Sequence, residues 1–555
     1  MADQVTDKRT SIFNGDDSPA ITVDLAGTGS GTLDTVIFYE GTGSVGGYCT
    51  NVRDGLLFDA GVVQAAWANS HFYLLVNCGI VGLLGIKSNG GLAVRFCGNV
   101  VGEWFEVYVG GNDDWPTSFG GGWAQFVVDI EDAYANASAI GAAKPATNAC
   151  RYVGISFITA SAMPRMVDNT WLDEIAYLPD GTSGILVEGR NGGATDWAWN
   201  DIVSAADTGK WGTCRRGPGG SVILNTSVEF GANDATTHQF TDTNQTILFE
   251  DQQYVAADLY GFTVVGGAGT QSFTAGNKQG AGDAATGNQG WVIAAASTGQ
   301  PWSFDADDAN VDAANLYGCT FIHADDFQID DAQVEVRSCL FNDVTSATIS
   351  AGIIARNTIV NANTDDAIAL FTTSSLTDIK NNAFTFSDGH AIELTSNAGS
   401  PFAFVGNTFT GYGGTPGNNL LESTGSTDAC IFNDSNGEVT INVTSGDTPS
   451  IRNGAGATTY VNNNKSVDVH VQDVATDDIV SAVVAIYDSS DDSELSNSLT
   501  DANGDISTAS IANATNIYIR VRKSTSDTRY FPIETVAYID NDVTITITMT
   551  EDTTA

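Results

Sequence analysis

A short motif recurs through the middle of this chain, and a repeat of that period restricts the fold more than any other feature of the sequence. Leu316-Tyr-Gly-Cys-Thr-Phe-Ile322 aligns with Val336-Arg-Ser-Cys-Leu-Phe-Asn342, Ile354-Ala-Arg-Asn-Thr-Ile-Val360, Ile379-Lys-Asn-Asn-Ala-Phe-Thr385 and Phe404-Val-Gly-Asn-Thr-Phe-Thr410. The fourth position reads Cys319, Cys339, Asn357, Asn382 and Asn407, at intervals of 20, 18, 25 and 25 residues. Two places later stand Phe321, Phe341, Ile359, Phe384 and Phe409, and Leu259-Tyr-Gly-Phe-Thr-Val-Val265 fits the same frame. A strand turns alternate side chains inward, and a coil of this length returns the chain to the same position one layer up. Asparagine at the bend tolerates left-handed dihedrals and can hydrogen-bond its stacked neighbour. A second phase of the coil repeats as Ala367-Ile-Ala-Leu370 and Ala391-Ile-Glu-Leu394, which equates Ile368 with Ile392.

These rungs resemble a pectate-lyase-like right-handed parallel β-helix with an asparagine ladder, and the resemblance covers residues 181–440. The flanks differ in texture. Between residues 21 and 180, runs such as Gly91-Leu-Ala-Val-Arg-Phe96 and Glu103-Trp-Phe-Glu-Val-Tyr-Val109 alternate between Gly-rich loops and end in Trp171-Leu-Asp-Glu-Ile-Ala-Tyr177. That closing strand is similar to the last strand of jelly-roll carbohydrate-binding sandwiches. Residues 466–555 alternate cleanly, as in Val543-Thr-Ile-Thr-Ile-Thr548, and contain Leu499-Thr-Asp-Ala-Asn-Gly-Asp-Ile506. This block resembles a transthyretin-like, carboxypeptidase-regulatory sandwich. The expected fold is therefore all-β: a docking segment (1–20), a jelly-roll-like sandwich (21–180), the β-helix (181–440), a linker or cap (441–465) and an Ig/transthyretin-like sandwich (466–555).

Charge removes whole classes of function. The 555 residues carry 22 Lys and Arg against 67 Asp and Glu, a formal charge of −45. No basic surface is available for phosphates or anionic lipid, so nucleic acid and membrane insertion are excluded as partners. The start, Met1 to Arg9, has no apolar core of a signal peptide. Eight cysteines at wide spacing, without a CxxC pair, read as buried free thiols. Five scattered histidines form no i, i+4 pair, so no metal is expected on them. Nor does any glycine-rich loop join a strand to a helix in the way a phosphate cradle requires.

Glycoside hydrolysis needs two carboxylates, and stacked rungs about 4.8 Å apart can supply them. The candidate catalytic acids and bases are Asp365 and Asp366 in Asn363-Thr-Asp-Asp-Ala-Ile368, and Asp388 and Glu393 flanking His390 one rung on. These segments resemble the Asn-Thr-Asp, Asp-Asp and Gly-His-Gly elements of polygalacturonase-type hydrolases. Three elements collapse into two here, Ala391 follows the histidine, and no Arg-Ile-Lys element follows. The competing reading is solvated turn carboxylates on an acidic chain. A lyase would also want a cation nearby, and Lys380 and Arg356 are the nearest in sequence. In the first sandwich, Asp113, Asp114 and Trp115 are the candidate carbohydrate-binding residues, through stacking and carboxylate hydrogen bonds, with an ordinary surface turn as the alternative. No cofactor is expected. Calcium is the one metal that suits the acidic clusters Asp305-Asp307-Asp308-Asp312 and Asp325-Asp326-Asp330-Asp331-Glu335.

Sandwich, β-helix and sandwich in series resemble the surface proteins of bacteriophages: tailspikes, fibres and head-decoration proteins. That resemblance implies a structural virion protein made in the host cytoplasm and carried on the virion surface. Its implied partners are other virion proteins, host-surface polysaccharide and copies of itself, a trimer being the usual state. The alternative is a β-helical polysaccharide depolymerase, either a hydrolase or a lyase. A bacterial surface adhesin is a third reading.

Overall fold

The computed structural model describes residues 4–13, 21–23, 32–34, 44–47, 53–78, 86–115, 123–158, 170–188, 197–205, 213–231, 237–240, 242, 244–250, 260–265, 271–279, 288–295, 301–306, 311–329, 333–344, 347–349, 352–362, 369–387, 389–416, 424–513, 515–523 and 528–554. They form two compact units, Met1–Gly352 and Ile353–Ala555. Both are all-β apart from short helical turns such as Ile130–Ala135. No helix among the described residues is long and apolar enough to cross a membrane.

The first unit opens with two antiparallel sheets. One has Ser70–Cys78 between Trp123–Asp129 and Thr170–Pro179; the other has Gly91–Cys97 between Trp104–Gly110 and Tyr152–Ile158. Phe72, Leu74 and Val76 from the first face Leu92, Val94 and Phe96 from the second across a shared core. Side chains on the outer faces are covered too, since every residue of Ser70–Cys78, Gly91–Cys97 and Trp123–Asp129 is buried.

From residue 185 the chain coils. Ile185–Glu188, Val228–Phe230, Gly261–Val264 and Trp302–Asp305 stack in parallel along one side. Val222–Leu224, Thr246–Phe249, Val292–Ala295, Thr320–Ile329 and Leu340–Val344 stack along a second. Thr237–Phe240, Gln271–Ala275, Val311–Tyr317 and Gln333–Arg337 form the third. From Val228 on, each turn of the coil thus contributes strand residues to three parallel faces, Thr320–Ile329 serving two of them, and Phe321 lies opposite Phe341 as the repeat requires. The inside is filled by rings such as Phe230, Phe262, Phe273 and Trp291, with neighbouring centroids 5.1–6.2 Å apart.

An open coil end exposes unpaired strand edge. Here Gln4–Asp7 lies antiparallel on Ile185–Glu188 and closes that edge. Thr10–Phe13 then joins the strand Thr170–Pro179 of the sandwich. Residues 4–13, expected to belong to a docking segment, are therefore built into this unit. The physical reason is the edge itself, which an extended N-terminal strand satisfies with backbone hydrogen bonds.

The second unit continues the same architecture within itself. Ile354, Ile359 and Phe371 pair in parallel with Ile379, Phe384 and Ile392. Phe384 meets Phe409 with centroids 5.0 Å apart and planes 7° from parallel. At the second phase of the repeat Phe371 stands opposite Ile392, while Ile368, the residue equated with it, lies outside the described residues. The similar tetrapeptides are offset by three residues because the following strand, Ala369–Thr373, supplies the inward phenylalanine. Residues 441–465, expected as a linker or cap, contribute further coil strands, since Glu438–Gly446 pairs in parallel with Thr458–Asn462 and Ile431–Asn433 with Ile451–Asn453. A three-stranded and a four-stranded sheet follow, packed over Val467, Val469, Ile486 and Ile519. In its turn 499–506, the Asp501 carboxylate accepts from the backbone N–H groups of Asn503 and Asp505, and Gly504 takes φ +76°.

The bend of the repeat divides its labour between two residues. The left-handed position is the one before the ladder residue: Gly318, Ser338, Arg356, Asn381 and Gly406 have φ of 64°, 57°, 60°, 56° and 67°. The ladder residue itself makes the hydrogen bonds. Space decides which bends need glycine. A Cβ on Gly318 would lie 2.4 Å from the carbonyl oxygen of Asn288 and 2.7 Å from the backbone nitrogen of Gln289. Gly318→Ser is accordingly expected to cost about 2–3 kcal/mol, left-handed strain plus a backbone clash, whereas Ser338→Gly should be neutral within about 1 kcal/mol. Thermal unfolding of the two variants measures this; equal melting temperatures would refute it.

Seven cysteines lie among the described residues, and all are buried and unbridged. Cys49 lies outside them.

Candidate functional site

Outward-facing positions of a parallel coil form straight rows, one residue per rung. On the Ala369–Thr373 side of the second unit, one such row reads Thr372, Glu393, Phe432, Arg452, each in register with the next. Three rung intervals span about 14 Å. Inward neighbours hold the row in place, since Phe371, Ile392, Ile431 and Ile451 are buried.

Glu393 is half-buried and accepts a hydrogen bond from Thr372 Oγ1 at 3.4 Å. Burial, and then the charge of Asp434, push its carboxyl above the ordinary glutamate range. Next to it, Phe432 carries a stack on its ring. The His390 ring lies 5.1 Å away and 16° from parallel, and the Arg452 guanidinium carbon is 5.4 Å from the Phe432 centroid. A bulge brings His390 there: the N–H groups of Ala391 and Ile392 both donate to the carbonyl of Cys430, which breaks the alternation of the strand. His390 Nδ1 donates to the carbonyl of Ala429 at 2.9 Å, which leaves Nε2 as an acceptor 3.5 Å from Arg452 Nη1. Burial lowers the His390 pKa, so the ring is neutral at pH 7. The row therefore presents a hydroxyl, a carboxyl that is hard to ionise, an aromatic edge and a fixed cation. That set can hydrogen-bond sugar hydroxyls along an extended chain and can offer a proton to an acetal oxygen.

Of the four candidate catalytic residues, Glu393 stands in this row. Asp365, Asp366 and Asp388 lie outside the described residues. Phe432, Arg452 and Asp434 were missed by the sequence reading because they sit one and two rungs further on, where the motif frame had lapsed. Arg452, rather than Lys380 or Arg356, is the cation on this row; Arg356 occupies a left-handed bend.

The candidate sugar-binding loop of the first unit is tied down from within. Asp113 Oδ1 accepts from the backbone N–H of Lys87 at 2.7 Å, and Asp114 Oδ2 pairs with Lys87 Nζ at 2.6 Å. Trp115 packs edge-on against Phe126 with centroids 5.6 Å apart. In the acidic clusters, Glu335 is held at about 2: burial raises it, but hydrogen bonds from Lys278, Tyr317 and Arg337 outweigh that. Asp326 takes a hydrogen bond from Gln328, while Asp307, Asp308, Asp330 and Asp331 lie outside the described residues.

No family model and no curated protein matches the chain. Among solved structures, it is similar to the catalytic domain of a GH87 alpha-1,3-glucanase in complex with nigerose, at 10% identity and a TM-score of 0.23, covering 78% of this chain and 85% of that one. It is also similar to the catalytic unit of a GH87 alpha-1,3-glucanase from Streptomyces thermodiastaticus, at 10% identity and a TM-score of 0.16, covering 80% and 96%. An exo-beta-agarase matches at 13% identity and a TM-score of 0.21, over 31% of this chain and 26% of its own length. At these scores the likenesses assign neither family nor activity.

Proposed function

We propose that this protein binds polysaccharide along the row Thr372–Glu393–Phe432–Arg452, as a structural component of a bacteriophage surface whose coil serves as a stiff spacer. The observation that carries the binding is the in-register run of hydroxyl, carboxyl, aromatic ring and guanidinium, set at a rung spacing suited to an extended glycan. The surface placement rests on the serial β architecture and on the stacked parallel strands within each unit. Neighbouring virion proteins and a homotrimer belong to the same reading.

A second reading is favoured by one feature of this row. A carboxyl raised by burial beside a second carboxylate, Asp434, is the pairing that a polysaccharide hydrolase uses as proton donor and base. One variant separates the readings. Ionising Glu393 in the folded protein is penalised, so the penalty is absent below about pH 4 and present above the raised pKa. Glu393→Gln should thus be at least as stable as the parent at pH 7, and the difference should vanish in acid. Retention on host-surface polysaccharide should fall about tenfold, the loss of one hydrogen bond to the carboxyl group. Unchanged retention would refute the row as the binding site. New reducing ends released by the parent and not by Glu393→Gln would establish the hydrolase. Immunogold labelling of lysates reads the placement, and gold confined to cells or soluble material would refute the particle.

A further inference from the structure

Three residues far apart in the sequence meet at one end of the first sandwich. Ser70–Cys78 is flanked on both sides by antiparallel strands, so its beginning lies beside the ends of both neighbours. His71 is the second residue of the central strand. Asp129 ends one neighbour and stands directly opposite His71. Asp180 follows the other neighbour and is fixed by its backbone N–H donating to the carbonyl of Asn69 at 3.0 Å.

His71 Nε2 lies 3.7 Å from Asp129 Oδ2 and 3.7 Å from Asp180 Oδ1. Those separations are too long for hydrogen bonds. They are close to the spacing of donor atoms that share one ion at about 2.0–2.2 Å. All three donors fall within 4.8 Å of one another. His71 and Asp129 are buried, with side chains 7% and 9% exposed, so this is not a solvated acidic patch. Asp129 is held independently: its Oδ1 caps the helix Ile130–Ala135 by accepting from the backbone N–H of Asp132 at 2.5 Å, which aims Oδ2 at His71. As a ligand set, two carboxylates and one neutral imidazole would carry −2, which a divalent cation would neutralise.

The same histidine opens onto a polar cleft of about 310 Å³, lined among others by Ser183, Thr226, Ser227, Tyr260 and Ser303. Three protein donors leave coordination positions for water or an oxygen ligand. We propose that His71, Asp129 and Asp180 form a binding site for a divalent first-row transition ion of the zinc or manganese class. One imidazole with two carboxylates suits these ions, whereas calcium takes an all-oxygen shell.

The test uses the full chain in excess calcium and magnesium, so that surface carboxylates are already occupied. Titration with zinc should give one equivalent per chain, and cobalt(II) in its place should give visible d–d bands. His71→Ala should abolish the bands while circular dichroism stays that of the parent. Asp180→Asn leaves the helix cap intact and should weaken zinc binding by at least about tenfold. Failure to bind one equivalent, or a cobalt spectrum and zinc affinity unchanged in Asp180→Asn, would overturn the site. If His71→Ala does not fold, Asp180→Asn alone decides.

Discussion

Replacing Asn382 by leucine is expected to destabilise the second unit by about 3–5 kcal/mol, although the two side chains are nearly the same size. The asparagine is 1% exposed and sits between two others. Its Oδ1 accepts from the backbone N–H of Asn357 at 2.9 Å and from Asn357 Nδ2 at 3.1 Å. Its Nδ2 donates to Asn407 Oδ1 at 3.0 Å and to the carbonyl of Ile354 at 2.9 Å. Leucine leaves no cavity, so the cost comes from orphaned polar groups in a dry bend, each about 1–3 kcal/mol. Asn382→Asp keeps the acceptor but aims a carboxylate at two acceptors. Burial should raise that carboxyl, so its stability is retained below about pH 4 and lost as pH rises through the raised value. Urea unfolding read by hydrogen exchange in residues 354–410 measures both variants. A loss under about 1 kcal/mol for Asn382→Leu would mean that water serves these groups and the ladder is not structural.

The ladder also shows where the sequence was legible. Its frame could be read because one position must meet its own copy every coil, so the same side-chain type recurs. The bend carries that reading into the first unit in another chemistry: Cys339 Sγ lies 3.5 Å from the carbonyl of Leu316, as Asn407 Nδ2 lies 2.8 Å from that of Ile379. In each case the acceptor is three residues before the previous ladder residue. Further asparagine pairs, Asn433 with Asn453 and Asn442 with Asn462, went unread because those rungs lack the large apolar residue two places on. The outward row was legible only at Glu393. Its neighbours are set by register, and the tetrapeptide alignment that suggested a register was three residues out. His71, Asp129 and Asp180 had no local signature at all, because antiparallel pairing, not spacing along the chain, brings strand ends together.

Alternation misleads most at Arg95 and Glu106. Leu92, Val94 and Phe96 face the core, so the pattern Leu-Ala-Val-Arg-Phe places Arg95 on a solvent face. Yet Arg95 and Glu106, directly opposite each other on adjacent strands, are both 0% exposed. Glu106 is not on an edge strand, since Ala139–Ile140 pairs antiparallel beside it, with the N–H groups of Ser138 and Gly141 donating to the carbonyls of Glu106 and Trp104 at 2.8 Å each. Arg95 Nε donates to Glu106 Oε2 at 2.8 Å, and its guanidinium carbon lies 3.8 Å from the Trp104 ring centroid. Desolvation of two charges consumes most of what their attraction returns, so the pair adds little net stability as a pair. Removing one partner is different, because the other stays buried and uncompensated. Arg95→Met and Glu106→Leu are each expected to cost about 3–5 kcal/mol, while the double variant should recover most of that loss. Hydrogen exchange of the Val94 and Phe96 amides, which lie in the middle of the sheet, reads the effect locally in the full chain. Single variants within about 1 kcal/mol of the parent would show that water reaches the pair. Additive single effects would show instead that the loss comes from packing against Trp104, not from the stranded charge.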